Sequence, residues 1–301
     1  MKIAITGGTG FIGKHLARDL AERGDEVVAI SRGRYTRGRG VPSHPAVSHV
    51  AADVIDTPAL TKAFAGCTAV VHCAGGAQED AAQSFHQMHV EGARSAVTAA
   101  QQASVKKFVF VSYLHARPNK GSAYHHTKWE GEEIVRGSGL DYTILKAGLV
   151  YGPGDHLLNN LGNVLRRLPV FATVGLRERT VRLVAVEDLV VVIRAALTDK
   201  RLSKQTISVV GPEEFPFSTA ARRIAKVMGK PSLVVLPFPV VVQRLLAWVS
   251  QFMPKPLISA SQVQMLAEGI SIPLPDSQPL PEDLAPRTQF TEEQIRKGLP
   301  N

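Results

Sequence analysis

Cysteine is scarce in this chain: Cys67 and Cys73 are its only thiols among 301 residues. Two thiols make neither the dense framework of a disulfide scaffold nor the repeated Cys/His spacing of a zinc site, and a reducing cytoplasm is the simplest compartment. The histidines do not replace them. His86 and His89 are three apart and His125 and His126 adjacent, without clustered carboxylates or cysteines to complete a set, so no metal is expected. Long apolar runs are missing too, none approaching the roughly 20 residues of a membrane span. Met1 and Lys2 run straight into "IAIT", without the ordered regions of a signal peptide. Aromatics are only 6% and form no basic stripe interleaved with aromatic residues, which counts against nucleic acid as a partner. Acids are in deficit, 26 against 35 Lys and Arg; the formal net charge of +9 favours anionic company such as phosphorylated cofactors or anionic lipid surfaces. What is present is a hydrophobic fraction of 45%, ample for one large domain or two modest ones.

The first half alternates strand-like and helix-like blocks. "KIAIT" (2–6) is a short apolar run; "FIGKHLARDLAER" (11–23) has helical periodicity and stops at Gly24; "EVVAIS" (26–31) is a second strand. Further strands are expected at 47–53, 69–74, 107–112 and 141–146, with helices near 57–64, 81–103 and 122–137. Parallel neighbours need crossover connections, and helices serve best, so the pattern predicts an α/β fold with a doubly wound parallel sheet. The pattern breaks after Gly152 and returns briefly at "EDLVVVIRAAL" (187–197) and "TISVV" (206–210). The division expected is therefore a dinucleotide-binding Rossmann domain over 1–152 and 181–210, with a smaller discontinuous substrate-binding cap over 153–180 and 211–301.

The first turn carries the strongest local signal. "TGGTGFIG" (6–13) places Gly7, Gly8, Thr9, Gly10, Phe11, Ile12 and Gly13 between a strand and a helix. Glycines there permit a tight turn, the approach of a pyrophosphate and close helix packing, while the helix N-terminus offers free N–H groups. At the end of the second strand an acid would hold the ribose of NAD, whereas an arginine suits the 2′-phosphate of NADP. The chain reads "ISRGRYTRGRG", with Ser31, Arg32 and Arg34 at that place, so NADP is expected over NAD; Arg37 and Arg39 read as a solvated basic loop.

"YHHTK" (124–128) puts Tyr124 and Lys128 one turn apart on a helix, after Ser112 at the end of a strand. With the glycine motif, these residues resemble the short-chain dehydrogenase/reductase superfamily in its extended, epimerase/dehydratase-like branch. Several other stretches agree: Asp53 and Val54 after "AAD" resemble the adenine contact, Cys73, Ala74 and Gly75 in "HCAGGA" the fourth-strand cofactor turn, and "LKAGLVYGPGDH" (145–156), with Ala147, the sixth-strand motif. "VRLVAVEDLVVVI" and "SVVGPEEFPFSTAARRIAKVMG" resemble a narrower group related to the Rossmann-type accessory subunit of respiratory complex I.

The resemblance implies roles. Tyr124 would exchange a proton with the substrate oxygen, Lys128 would favour its phenolate and hold the cofactor ribose, Ser112 would orient the carbonyl, and His89 would take the relay position usually held by an asparagine. Lys146, Ala147 and Ala185 replace residues that often grip nucleotide sugars in this branch. The implied activity is an NADP(H)-dependent oxidoreductase acting on a carbonyl or secondary alcohol of a small, apolar molecule. The alternatives are a non-catalytic cofactor-binding structural or sensor protein and a nucleotide-sugar epimerase or dehydratase. "SLVVLPFPVVVQRLLAWVSQFMPKPLIS" (232–259) contains Phe238, Trp248, Phe252 and Met253 with only Arg244 and Lys255 charged, split by prolines into pieces too short to cross a bilayer. It reads as cap packing or as a greasy entrance resting peripherally on an anionic membrane.

Overall fold

A computed structural model describes residues 1–33, 43–76, 79, 83–119, 121–167, 170–176, 178–238 and 260–299. Arg34, Arg37 and Arg39, and the apolar segment from residue 239 to 259 with Trp248, lie outside the described residues.

The expected alternation forms one sheet. β1 (Lys2–Thr6), α1 (Phe11–Glu22), β2 (Glu26–Ser31), β3 (Val47–Ala51), α2 (Thr57–Phe64), β4 (Ala69–His72), α3 (Gly92–Gln102), β5 (Lys107–Tyr113), α4 (Ala123–Arg136) and β6 (Asp141–Ala147) follow in chain order. Their order across the sheet is β6-β5-β4-β1-β2-β3, extended beyond β6 by Gln205–Val209 and Gln278–Pro279 to eight strands. β1 pairs in parallel with both β2 and β4, so the strand order reverses between β1 and β4, where open α/β sheets bind their ligands.

Both faces of the strands are apolar, as a parallel sheet covered on each side requires. Ala4, Val28, Ile30, Val70, Phe108, Phe110 and Ile144 join Leu60, Phe64, Ala93, Ala96 and Val97 in one core cluster with α2 and α3. The alternate positions Ile3, Ile5, Val27, Val71 and Val109 are buried as well. Arg194, on the helix Val186–Thr198, pairs with Asp19 of α1 at 2.7 Å.

The chain divides into two compact units: Met1–Ala147 with Leu189–Ser208 and Pro275–Leu284, and Gly148–Asp188 with Val209–Leu274 and Ala285–Asn301. These bounds differ from the division expected above over 148–152, 181–188, 209–210 and 275–284. Val150–Tyr151 pairs with Val184–Ala185, which puts both within the second unit. Ile207 and Ser208 pair with Gln278 and Pro279, which returns that late segment to the sheet. The second unit is built from short paired strands, Thr180–Val181 with Phe215–Pro216 and Val170–Val174 with Val234–Phe238. Its aromatic core sets Tyr151 edge-on to Phe290 at 4.8 Å, with Phe215 stacked on Phe290. Among the described residues no helix is long and apolar enough to cross a membrane.

Candidate active site

The glycine turn is so tight that side chains are excluded. Gly7 has φ +71°, and a Cβ on it would lie 2.9 Å from the backbone nitrogen of Ala74, in the turn after β4. A Cβ on Gly13 would lie 2.2 Å from the Gly7 carbonyl oxygen. The Gly10 N–H donates to the Gly7 carbonyl at 2.9 Å, and α1 starts at Phe11 without a side-chain cap. The first-turn N–H groups of Phe11, Ile12 and Gly13 are thus left for a ligand, and a cradle that any Cβ would fill suits a pyrophosphate. Thr9 sits within the same turn, between Gly8 and Gly10.

The adenosine end is polar and linked. Arg32, exposed at the end of β2, donates through Nη1 to Gln83 Oε1 at 2.7 Å. Gln83 Nε2 donates in turn to both carboxylate oxygens of Asp53, at 3.0 and 3.1 Å. The Ser31 carbonyl accepts from Ala52 N–H at 2.9 Å, which joins β2 to the chain leaving β3. Val54 packs on Gly92, where an added Cβ would meet its Cγ1 at 2.9 Å. Gln83 carried no sequence signal, because nothing in its neighbours marks a glutamine that meets partners 51 and 30 positions away.

The reactive face belongs to α4. Tyr124, Lys128 and Glu132 recur every four residues and are all buried, so one side of this helix carries a phenol, an ammonium and a carboxylate into the protein. The Tyr124 ring is held edge-on by Phe85, His89 and Tyr113 with centroids 5.5, 5.3 and 5.4 Å away. Lys128 Nζ donates to the Val111 carbonyl at 3.3 Å and lies 5.6 Å from the centroid of the Phe110 ring. It also lies 3.0 Å from where a Cβ on Gly75 would stand, so the ammonium faces the cofactor turn. Burial lowers Lys128 to about 8, and the charge of Glu132 opposes that shift. Burial pushes the Tyr124 phenol up from its ordinary value, so the lowering expected of a phenolate-forming tyrosine is not built into the chain by itself.

His89 lies in a π-helical turn, His86–Glu91, just before α3. Such turns bulge a residue out of the regular helical register. Its imidazole stacks on Phe85 at 5.5 Å, and its Nδ1 lies 2.9 Å from Thr127 Oγ1. The Thr127 hydroxyl also reaches the Ala123 carbonyl at 2.8 Å, and the Gly76 backbone is a second hydrogen-bonding neighbour of the His89 ring. Burial, and then the charge of Lys128, hold His89 well below the usual histidine value. It is therefore a buried, neutral imidazole whose ring meets Tyr124 edge-on.

Ser112 is placed differently from the expectation. Its hydroxyl donates to Glu132 Oε1, within a buried group that also receives Arg136 at 2.8 Å and Lys146 at 3.6 Å. A buried carboxylate requires donors, and Ser112 is one of them. The β5 residue whose ring meets Tyr124 is its neighbour, Tyr113, one position beyond the strand expected at 107–112 and part of no motif. Cys73 is partly exposed, and burial pushes its thiol up to about 12, which makes it an apolar lining residue. Ala147 ends β6, buried, with its carbonyl accepting from Leu114 N–H at 2.8 Å. Among the described residues no group of three His, Cys, Asp or Glu is placed to hold a metal ion.

Comparison with known proteins places this arrangement. Residues 7–156 match the family model described as NAD(P)H-binding. The chain is 32% identical over 243 residues to a ceramide reductase of Caulobacter vibrioides, covering 79% of this chain and 74% of that protein. It is 23% identical over 269 residues to the mitochondrial NADH-ubiquinone oxidoreductase 40 kDa subunit of Neurospora crassa, covering 86% of this chain and 69% of that one. Among solved structures, an epimerase from Methanothermobacter thermautotrophicus superposes with a TM-score of 0.74 at 17% identity, over 98% of this chain and 90% of that chain, which shows the fold.

Proposed function

The chain belongs to the NAD(P)-binding, epimerase-like branch of the short-chain dehydrogenase/reductases, a family of reductases and epimerases, and we propose that it is an NADP(H)-dependent reductase of a carbonyl carried on an apolar, lipid-like molecule. The observation that carries this reading is the burial of Tyr124 and Lys128 on one face of α4, with the Lys128 ammonium against the Gly75 turn.

A bound nicotinamide cofactor supplies the hydride. The chain supplies the rest: the glycine turn and the α1 N-terminus hold the phosphates, Arg32 meets a 2′-phosphate, and the Tyr124 phenol donates the proton that the reduced oxygen needs. Lys128, protonated at neutral pH with its value near 8, stabilises the phenolate left on Tyr124. The same machinery run in reverse oxidises a secondary alcohol.

The apolar substrate is supported by the ceramide reductase likeness and by the surface of the second unit. Val234 and Leu236, on one side of the strand Val234–Phe238, are 51% and 45% exposed, and the chain continues from them into its most apolar stretch. NADPH oxidation with long-chain keto-amides and keto-acids, compared with a nucleotide sugar, tests the substrate class. Turnover of the nucleotide sugar alone would overturn it. Salt-sensitive cosedimentation with anionic liposomes is the expected companion result, since the net charge of +9 favours that surface; no sedimentation even at low salt would remove the membrane from the picture.

A further inference from the structure

Three separate parts of the chain meet at the adenosine end: Arg32 at the tip of β2, Asp53 after β3, and Gln83 in the connection that follows β4. Arg32 and Asp53 are natural partners, since a guanidinium and a carboxylate pair bidentately when they can reach each other. Here they do not pair. The Gln83 amide lies between them, accepting from Arg32 at 2.7 Å and donating to Asp53 at 3.0 and 3.1 Å. Only one orientation of the amide satisfies both neighbours, because the reverse would set an oxygen against the carboxylate and an NH2 group against the guanidinium. Gln83 is also only 6% exposed, whereas Arg32 is exposed, so the buried member fixes the direction of the surface one.

We propose that Gln83 is a positioning residue for cofactor choice: it holds Arg32 away from Asp53 and leaves the rest of the guanidinium fork free for the ribose 2′-phosphate. This rests on the reading of Arg32 as the phosphate contact. A guanidinium closed onto Asp53 would present a neutralised pair to the phosphate. Separated by one amide, the arginine keeps its charge for the ligand, and Asp53 stays on the adenine side.

The test is the dissociation constant of NADPH and of NADH, measured by fluorescence titration on the full chain. Gln83→Leu is expected to weaken NADPH about tenfold, the worth of a charge-assisted hydrogen bond, while NADH stays within about twofold. Adding Asp53→Asn to Gln83→Leu is expected to recover part of the NADPH affinity, because no carboxylate then captures Arg32. Gln83→Glu, close in shape, is expected to shift the preference further towards NADH by pairing with Arg32 directly. Equal weakening of both cofactors by Gln83→Leu, or unchanged NADPH binding, would overturn the proposal. If Arg32→Ala abolishes the NADPH preference while Gln83→Leu leaves it intact, the positioning role fails and the phosphate reading stands. If Arg32→Ala changes neither affinity, both fail.

Discussion

The buried face of α4 has two halves, each with a lysine, and they are treated in opposite ways. In the lower half Lys146 of β6, fully buried, meets Asp276 at 2.6 Å, the Ala116 carbonyl at 2.9 Å and Glu132 at 3.6 Å. Glu132 is itself surrounded by Ser112, Arg136 and Lys146, which oppose the upward pull of burial on its carboxyl. In the upper half Lys128 is also buried, but it has a carbonyl and a ring face for neighbours, and among the described residues no carboxylate lies within ion-pair distance. The difference separates structure from chemistry. A buried charge that is fully matched holds segments together, whereas one left under-matched titrates near neutrality and stays responsive to a ligand.

The largest expected effect strikes the matched half. Lys146→Met leaves Glu132 short of one cation and Asp276 without its partner, and breaking a buried pair from one side costs about 3–5 kcal/mol. Urea denaturation measures it. The segment Pro275–Leu284 should show the change first as faster amide exchange, since Asp276 is its tie to β6. A loss below about 1 kcal/mol would mean that the cluster is no better matched than Lys128, and the contrast between the halves would collapse.

The next effect belongs to the upper half. Tyr124→Phe keeps the ring and its three aromatic neighbours and removes only the hydroxyl, so turnover should fall roughly 100-fold or more while cofactor affinity and stability barely move. Steady-state kinetics beside a cofactor titration checks both parts. Full activity in this variant would leave Tyr124 as packing and require another acid.

How much of this was legible in the sequence follows from range. Strand and helix periodicities are local, and the sheet from Lys2 to Ala147 follows them within a residue or two at most element ends, as does the placing of the glycine turn after β1. Tyr124 and Lys128 share a face because four residues make one helical turn. The matched cluster, by contrast, joins residues 130 positions apart in Lys146 and Asp276, and 20 apart in Ser112 and Glu132, for which no periodicity exists. Ser112 was read by its place at a strand end, and the acid that claims its hydroxyl is visible only once α4 is folded against β5. His89 was read by its place in a motif, and the burial beside an ammonium that keeps it neutral is visible only in the folded chain.

The smallest effect sharpens the comparison most. Burial lowers Lys128 to about 8 from 10.5. Below about pH 8 the ammonium is charged in the folded and unfolded chains alike, and the folded state bears its whole desolvation cost. Between about 8 and 10.5 the folded chain releases the proton while the unfolded chain keeps it, so the unfolded state binds more protons and stability rises with pH across that window. Lys128→Met removes the charge and keeps much of the apolar stem. It should therefore stabilise the cofactor-free protein at neutral pH, on the order of 1–3 kcal/mol, with a gain that shrinks as pH rises towards 10.5. Turnover should fall in the same variant. Urea denaturation of both proteins at about pH 7 and about pH 10 decides the matter. A Met variant less stable at neutral pH would show that Lys128 is compensated as Lys146 is, and that the upper half of α4 is held by its lysine rather than strained by it.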